Sequence, residues 1–302
     1  MSKPSIIRRS IVALTASALF GSALVLGGTT AGALPGPETA AVVTPRIDAA
    51  PAPLAQKAKK KKKVAGTLTV TSRTKSDVST GDALAFSGKT SRALKGKKVQ
   101  LQLRVGKKWQ AVSTAKVTEK LAFTVRAKAT KAGAQKYRLY VAPTKRTQSA
   151  KSRTFTYRVW KWYSVAALPK VDEGGDTWSS GMAHESATIA GKRYAHSIVG
   201  WSTYRDQASW SEYNVNYRCT EFRSSIGLID ESASGQTRAF SIRADDATTS
   251  LGSAGLGSAK SVSADISGVY RIRLAIGRSG NDNAESKGAF ANPQVYCLTS
   301  PS

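Results

Sequence analysis

From residue 64 onward the chain alternates hydrophobic and polar residues with a period of two. The runs are Leu68 and Val70; Leu84 and Phe86; Val99, Leu101, Leu103 and Val105; Phe123 and Val125; Tyr137, Leu139 and Val141; and Phe155, Tyr157 and Val159. Period two sends successive side chains to opposite faces of a strand, so each run predicts a strand with one buried face. No helical periodicity of comparable length competes. Gly106-Lys107-Lys108, between Val105 and Trp109, predicts a hairpin turn. Short alternating runs separated by Gly, Ser, Lys and Thr predict an antiparallel β-sandwich over residues 64–159.

Trp160-Lys161-Trp162-Tyr163-Ser164 marks the start of a second unit, residues 160–302. Its predicted strands lie at Trp162–Leu168, Ile189–Ile198, Tyr213–Phe222, Ile226–Asp230, Ala239–Asp246, Val269–Ile276 and Phe290–Val295. Ile272, Leu274 and Ile276 alternate with Arg271, Arg273 and Ala275, and Phe240 and Ile242 with Ser241 and Arg243, as half-buried strands do. Ala254–Ser258 and Gly277–Gly288 read as loops by composition.

Charge divides the chain unevenly. Of 46 Lys+Arg and 19 Asp+Glu, residues 1–33 carry 3 basic, residues 34–63 carry 7 basic and 2 acidic, residues 64–160 carry 22 and 3, and residues 161–302 carry 14 and 14. The whole excess of +27 therefore lies before residue 161. Residues 1–33 read as a secretory signal: Lys3, Arg8 and Arg9 precede an apolar stretch from Ile11 to Leu26, and Ala31-Gly32-Ala33 fits the cleavage pattern. Interruptions at Thr15, Ser17, Gly21 and Ser22 argue against a spanning helix, and no later stretch is apolar enough to cross a membrane.

Residues 34–63, rich in Ala and Pro, end in a lysine run of Lys57, Lys59, Lys60, Lys61, Lys62 and Lys63. Such a segment cannot bury a core, and the expectation is an extended disordered arm that holds a polyanion by counterion release. In an exported bacterial protein the expected polyanions are anionic wall polymers with phosphate or carboxylate groups, placed ahead of extracellular DNA, with no specific nucleic acid as partner. In the 64–159 unit only Asp77, Asp82 and Glu119 offset the cations, which extends the basic surface.

The only two cysteines, Cys219 and Cys297, each stand at the end of a predicted strand. In an oxidising compartment, without a competing CxxC or metal spacing, they predict a disulfide. On the loop-entropy model closing that segment adds roughly 4 to 5 kcal/mol at best.

The pattern Phe86-Ser87-Gly88-Lys89-Thr90, then Leu94 to Leu103, Trp109-Gln110-Ala111-Val112 and Phe123-Thr124-Val125, resembles bacterial immunoglobulin-like modules of secreted proteins. The succession of segments in residues 160–302 resembles the NPCBM family of carbohydrate-binding modules, a galactose-binding-like jelly roll. The implied fold class is all-β: an immunoglobulin-like sandwich followed by a jelly-roll sandwich. The resemblance implies binding of a cell-surface or wall glycan by loops at one end of the sandwich, with aromatic rings against the sugar and polar groups on its hydroxyls.

Trp201 and Trp210, flanking the polar Ser202–Ser209 loop, are the first candidates. Tyr204, Arg205, Asp206, Trp178 and Asn283 join them. The chain departs from the family pattern where Phe290 and Asn292 replace the usual Trp and Asp, and where Ser197 replaces a glycine.

No G-x-S-x-G elbow, H-E-x-x-H helix or Walker loop occurs, and the two histidines, His184 and His196, form no catalytic spacing. The expectation is a non-catalytic protein. No cofactor is expected, although jelly rolls of this kind often carry a structural calcium, for which Asp245, Asp246, Asp282 or Asn283 offer oxygens.

Overall fold

The computed structural model describes residues 61–175, 181–202, 208–279 and 286–301. These residues fall in one compact unit, Lys59–Ser302. Nine strands build the first sandwich: β1 (Leu68–Arg73), β2 (Asp77–Ser79), β3 (Ala83–Thr90), β4 (Lys98–Val105), β5 (Lys108–Lys116), β6 (Ala122–Lys128), β7 (Gly133–Val141), β8 (Ala150–Lys151) and β9 (Phe155–Ser164). One sheet has the order β1-β3-β6, and facing it β5-β4-β7-β9 run antiparallel. β2 joins β9 in parallel register, Val78 opposite Val159.

Alternation fixes which face is buried. Leu84, Phe86, Val99, Leu101, Phe123, Val125, Leu139, Phe155, Tyr157 and Val159 meet in one core. Phe86 packs tilted on Phe155 and edge-on to Tyr157, at 5.5 and 5.7 Å between centroids. The hairpin predicted at Gly106 is present, with Gly106 at φ 57°, a left-handed value that costs glycine no steric clash.

The second sandwich contains β10 (Asp172–Gly174), β11 (Met182–Ile189), β12 (Lys192–Ser202), β13 (Ser209–Asn214), β14 (Cys219–Leu228), β15 (Thr237–Ala244), β16 (Ala247–Gly255), β17 (Lys260–Asp265), β18 (Arg271–Arg278) and β19 (Ser286–Cys297). Five strands form one sheet in the order β10-β13-β18-β15-β16. Against it lie β11, β12, β19, β14 and β17. Phe222, Phe240 and Phe290 meet edge to face at the centre of the core between the two sheets. The jelly-roll expectation therefore matches the layers seen here, and among the described residues the fold is all-β apart from two 3-10 turns, Arg92–Leu94 and Val165–Ala167.

Two predicted loops shrink. Ala254 and Gly255 close β16, and Gly277 and Arg278 extend β18, while β19 already begins at Ser286. Backbone pairing, as in Ala239 opposite Gly277 and Arg238 opposite Ala254, holds these small residues in strands that their composition does not announce.

The two sandwiches share a strand. β9 pairs with β7 through Phe155–Val159 and then with β19 through Lys161–Ser164, so the boundary read at residue 160 falls inside a continuous strand. β19 in turn pairs with β12 up to Ala291 and with β9 from Gln294 onward. At the crossing point Asn292 has φ 46°, a left-handed conformation that Asn tolerates. Pro293 follows, where its missing N–H falls between the two partner strands.

Cys219 and Cys297 stand directly opposite each other on β14 and β19 and form the expected disulfide. The strand of Cys219 is flanked by β19 and β17, so the bridge ties the interior of the sheet.

Candidate functional site

Three strand ends converge at one end of the second sandwich: the close of β10, the close of β12 and the start of β19. Register sets the side chains there. Trp201 of β12 lies opposite Lys287 of β19, and the Lys287 ammonium sits 4.1 Å from the centre of the indole. Trp201 remains 40% exposed, so it is a large aromatic surface at a strand end with a cation over it. A cation over an indole holds the ring in place. Trp178, Tyr204, Arg205, Asp206 and Asn283 lie outside the described residues.

Trp210 is placed differently. It points from β13 to the outer face of the five-stranded sheet, over Gly174 of β10, whose Cβ would come within 2.7 Å of the indole. A side chain at position 174 would displace the ring, so glycine is required by close approach. The Arg273 guanidinium lies 3.6 Å from the centre of the Trp210 ring and bonds Glu212 through Nε at 2.7 Å. Trp210 and Trp201 therefore belong to different surfaces, the sheet face and the sandwich end.

Glu212 is the centre of a charge cluster on that sheet face. Its carboxylate, with only 4% of its side chain exposed, accepts from Arg243, Arg271 and Arg273 at 2.9, 3.0 and 2.7 Å. Burial pushes its pKa upward, but the hydrogen bonds of Arg273 and Arg271 outweigh this and hold the carboxyl below its usual range. The three arginines come from β15 and β18, which flank each other in the sheet, so strand order assembles the cluster. An open depression of about 250 Å³ follows, lined by Arg243, Arg271, Arg273, Tyr270, Asp245 and Asp246.

Among the calcium candidates, Asp245 uses its carboxylate to accept the backbone N–H groups of Tyr270 and Arg271 at 3.1 and 2.9 Å. It caps the turn that leads into β18. Asp246 is exposed, and Asp282 lies with Asn283 outside the described residues. Among the described residues no group of three or more His, Cys, Asp or Glu could hold a metal ion.

A second polar cluster spans the seam between the two sheets. His184 Nε2 of β11 is hydrogen-bonded to the Tyr213 hydroxyl at 2.7 Å, and Lys170 Nζ donates to Glu173 Oε2 at 2.5 Å and to the Met182 carbonyl at 2.8 Å. Burial, and then the Lys170 charge, lower the His184 pKa, against the opposing charge of Glu173. Burial raises that of Tyr213 well above the usual phenol range. A neutral imidazole on a neutral phenol is a satisfied seam, and Glu173 is taken by Lys170.

In the first sandwich the cations line a groove of about 460 Å³ between β1 and the segment from β8 to β9, where Arg73, Lys151 and Arg153 meet Thr69, Thr71, Ser72 and Ser152. Arg73 and Arg153 rest over the Phe155 ring at 5.4 and 5.3 Å. Lys61, Lys62 and Lys63 are exposed, while Lys57, Lys59 and Lys60 lie outside the described residues. Among the described residues no helix is long and apolar enough to cross a membrane.

Residues 169–296 match the NPCBM/NEW2 domain. That segment is an NPCBM/NEW2 domain. It covers less than half of the chain, and it contains Trp201, Trp210, the arginine cluster and most of the second core. No curated protein matches the chain.

Solved structures with a likeness include the CBM51-2 and INT domains of Clostridium perfringens ZmpB in complex with GlcNAc, at 14% identity over 55% of this chain and 38% of that chain, with a TM-score of 0.37. A CBM51 module from Clostridium perfringens GH95 in complex with methyl-galactose has 14% identity over 44% of this chain and 99% of that one, with a TM-score of 0.34. Tandem CBM51 modules of Sp3GH98 from Streptococcus pneumoniae have 11% identity over 71% and 81%, with a TM-score of 0.36. The chain spans only 38% of the ZmpB chain's length. At these TM-scores the likenesses assign no ligand and no residue role.

Lys287, Glu212 and the stacking of Arg273 on Trp210 escape a linear reading of the sequence. Arg271 and Arg273 are legible as outward positions of an alternating strand, but their common partner Glu212 is 59 and 61 residues away in the chain. Only the adjacency of β13 and β18 brings them together.

Proposed function

We propose that this is a secreted, non-catalytic glycan-binding protein. Its NPCBM/NEW2 domain holds a sugar at the end of the sandwich around Trp201, and its immunoglobulin-like first sandwich and lysine arm adhere to an anionic wall polymer. The observation that carries the reading is Trp201: a half-exposed indole, fixed by Lys287, at the sandwich end of a domain whose family match points to carbohydrate. An indole face stacks on the apolar face of a pyranose, and the Lys287 ammonium over the ring holds it in place. The disulfide agrees with an oxidising, extracellular setting. The first-sandwich groove, with three cations and four hydroxyl side chains, suits a phosphate- or carboxylate-bearing polymer.

The test is a glycan array followed by titration with the best neutral sugar, on the whole chain and on Trp201→Ala. A sugar whose binding disappears in Trp201→Ala at unchanged melting temperature sustains the reading. Binding that Trp201→Ala leaves intact, or the absence of any bound neutral sugar, removes it.

A further inference from the structure

Three segments meet at one end of the first sandwich. The start of β4 lies beside the end of β7, with Gln100 opposite Tyr140, so Lys97, just before β4, comes next to the turn Thr144–Thr147 that follows β7. The two segments line a depression of about 410 Å³ with Ala93, Lys97, Thr144, Lys145, Arg146 and Thr147. The turn is locked from within. Thr144 Oγ1 accepts the N–H groups of Arg146 and Thr147 at 3.2 and 3.1 Å, and the Thr144 N–H donates to the Thr147 carbonyl at 3.0 Å. Lys145 and Arg146 stand exposed at its tip.

The third segment is the root of the lysine arm. Val64 pairs in parallel with Thr147; its N–H donates to the Arg146 carbonyl and its own carbonyl accepts the Gln148 N–H, both at 2.9 Å. The Gln148 side-chain amide donates to the Lys63 carbonyl at 3.3 Å. An extended residue covers at most about 3.6 Å, so the backbones of Lys61, Lys62 and Lys63 all lie within about 11 Å of Val64, beside the depression.

No carboxylate offsets these cations. Of the three acidic residues in the first sandwich, Asp77 is paired with Arg158, Asp82 accepts the Ser79 N–H, and Glu119 is paired with Lys95; none of them lines the depression. Among the described residues Lys61, Lys62, Lys63, Lys97, Lys145 and Arg146 form no ion pair. Like charges gathered this way repel one another, and a bound anion relieves the repulsion.

We propose that the root of the arm and the Thr144–Thr147 turn form one binding site for a linear polymer with a phosphate in each repeat. The proposal rests on the reading of the front half as a polyanion-binding surface and adds a defined seat to it. One phosphate sits in the depression between Lys97 and Arg146, and its neighbours along the polymer meet Lys63, Lys62 and Lys61. Phosphate is favoured over carboxylate because five of the six cations are lysines: an ammonium is a point charge that meets phosphate oxygens from any side, whereas a planar carboxylate is matched by the arginine fork. Docking of Val64 on Thr147 holds the two basic stretches side by side before any ligand arrives, so less ordering cost falls on binding.

The experiment is titration of the whole chain with inorganic polyphosphate and with polygalacturonate, in about 150 mM salt to screen long-range attraction. Lys97→Gln/Arg146→Gln discharges the depression. Val64→Pro keeps every charge but removes the N–H that docks the arm, and Val64 is 57% exposed, so the core is untouched. Lys107→Gln/Lys108→Gln removes the same charge at the far end of β4, roughly 25 Å away. Expected are tighter binding of polyphosphate than of polygalacturonate, and polyphosphate affinity about tenfold weaker in Lys97→Gln/Arg146→Gln, about fivefold weaker in Val64→Pro and within about twofold of wild type in Lys107→Gln/Lys108→Gln. Absence of polyphosphate binding by the wild type overturns the proposal together with the polyanion reading. Equal losses in the two double variants, or Val64→Pro within about twofold of wild type, overturn the defined seat while that reading stands. Polygalacturonate bound as tightly as polyphosphate overturns the choice of phosphate.

Discussion

The Tyr296 hydroxyl of β19 lies 2.5 Å from the Ser79 hydroxyl of β2, a hydrogen bond between residues 217 apart that ties the second sandwich to the first. The Tyr296 ring packs on Trp160 and on Trp162, at 5.6 and 4.9 Å between centroids, and Arg223 caps Trp162 at 3.7 Å while both its Nε and Nη2 donate to Gln294. On the first-sandwich side Asp77 of β2 accepts from Arg158 and from the Trp160 indole N–H. The shared strand β9 is thus clasped on both sides.

Cutting this clasp should separate two melting events. Tyr296→Ala removes a ring that covers the shared strand and the hydroxyl contact, a loss of about 2 kcal/mol from half-buried aromatic area. Differential scanning calorimetry should show one cooperative transition in the wild type and two in the variant. A single transition in the variant, merely lowered, means that the continuous strand alone couples the sandwiches.

Replacing both cysteines with alanine should cost about 2 to 4 kcal/mol. The bridge spans 78 residues, which favours a large entropic effect, but Cys219 and Cys297 already face each other across paired strands, so the fold should persist. Urea unfolding of Cys219→Ala/Cys297→Ala beside the oxidised wild type measures the difference; reducing agent should shift only the wild type.

Glu212→Gln should destabilise by about 2 kcal/mol, less than for a fully buried pair because the arginine partners reach solvent. The sign with pH follows from a carboxyl held below its ordinary value: its stabilisation is present above the unfolded-state pKa and disappears as pH falls through the folded-state value. Wild type and variant should therefore differ most near neutrality and converge in acid. A constant gap across the range would show that packing, not charge, carries the effect.

How much of this was legible follows burial. Strands with a clean inward face, such as β3 with Leu84 and Phe86 or β18 with Ile272, Leu274 and Ile276, announce themselves by period two. β16, with the sequence ATTSLGSAG, and β17, KSVSAD, lie at the edges of their sheets and are largely exposed; nothing hydrophobic alternates in them strongly enough to mark a strand. The disulfide was legible from cysteine count and compartment alone. Trp201 was legible as an aromatic beside a polar loop, but Lys287 became its partner only through the register of β12 on β19. Tyr217 reads as part of one strand from Tyr213 to Phe222, whereas the chain turns between β13 and β14 with Asn216 and Tyr217 left-handed, because a left-handed backbone at non-glycine residues is not written in local composition.

His184 should act as a local acid sensor of the seam. Its pKa is lowered, so the neutral form is favoured in the fold, and the linked stability is present above the ordinary imidazole value and lost as pH falls through the folded one. Gln at 184 retains an amide for the Tyr213 hydroxyl and does not titrate. Stability measured between about pH 7 and pH 5 should fall for the wild type and stay flatter for His184→Gln. Parallel profiles would assign the acid response elsewhere.

Binding to an anionic polymer should be dominated by counterion release if the front half holds the wall. With inorganic polyphosphate as probe, log affinity should fall linearly with log salt, at a slope of about −0.7 per phosphate neutralised. Deleting residues 57–63 removes six lysines and should flatten that slope. Arg73→Gln/Arg153→Gln, which discharges the groove between β1 and β9, should weaken binding further by a smaller step, because two cations contribute less than six. Neutral sugar binding at Trp201 should ignore salt over the same range, since stacking and hydroxyl contacts release no counterions. If polyphosphate binding were instead unchanged by both the deletion and the arginine variants, the basic half would be a solvated spacer, and the domain around Trp201 would carry the recognition alone.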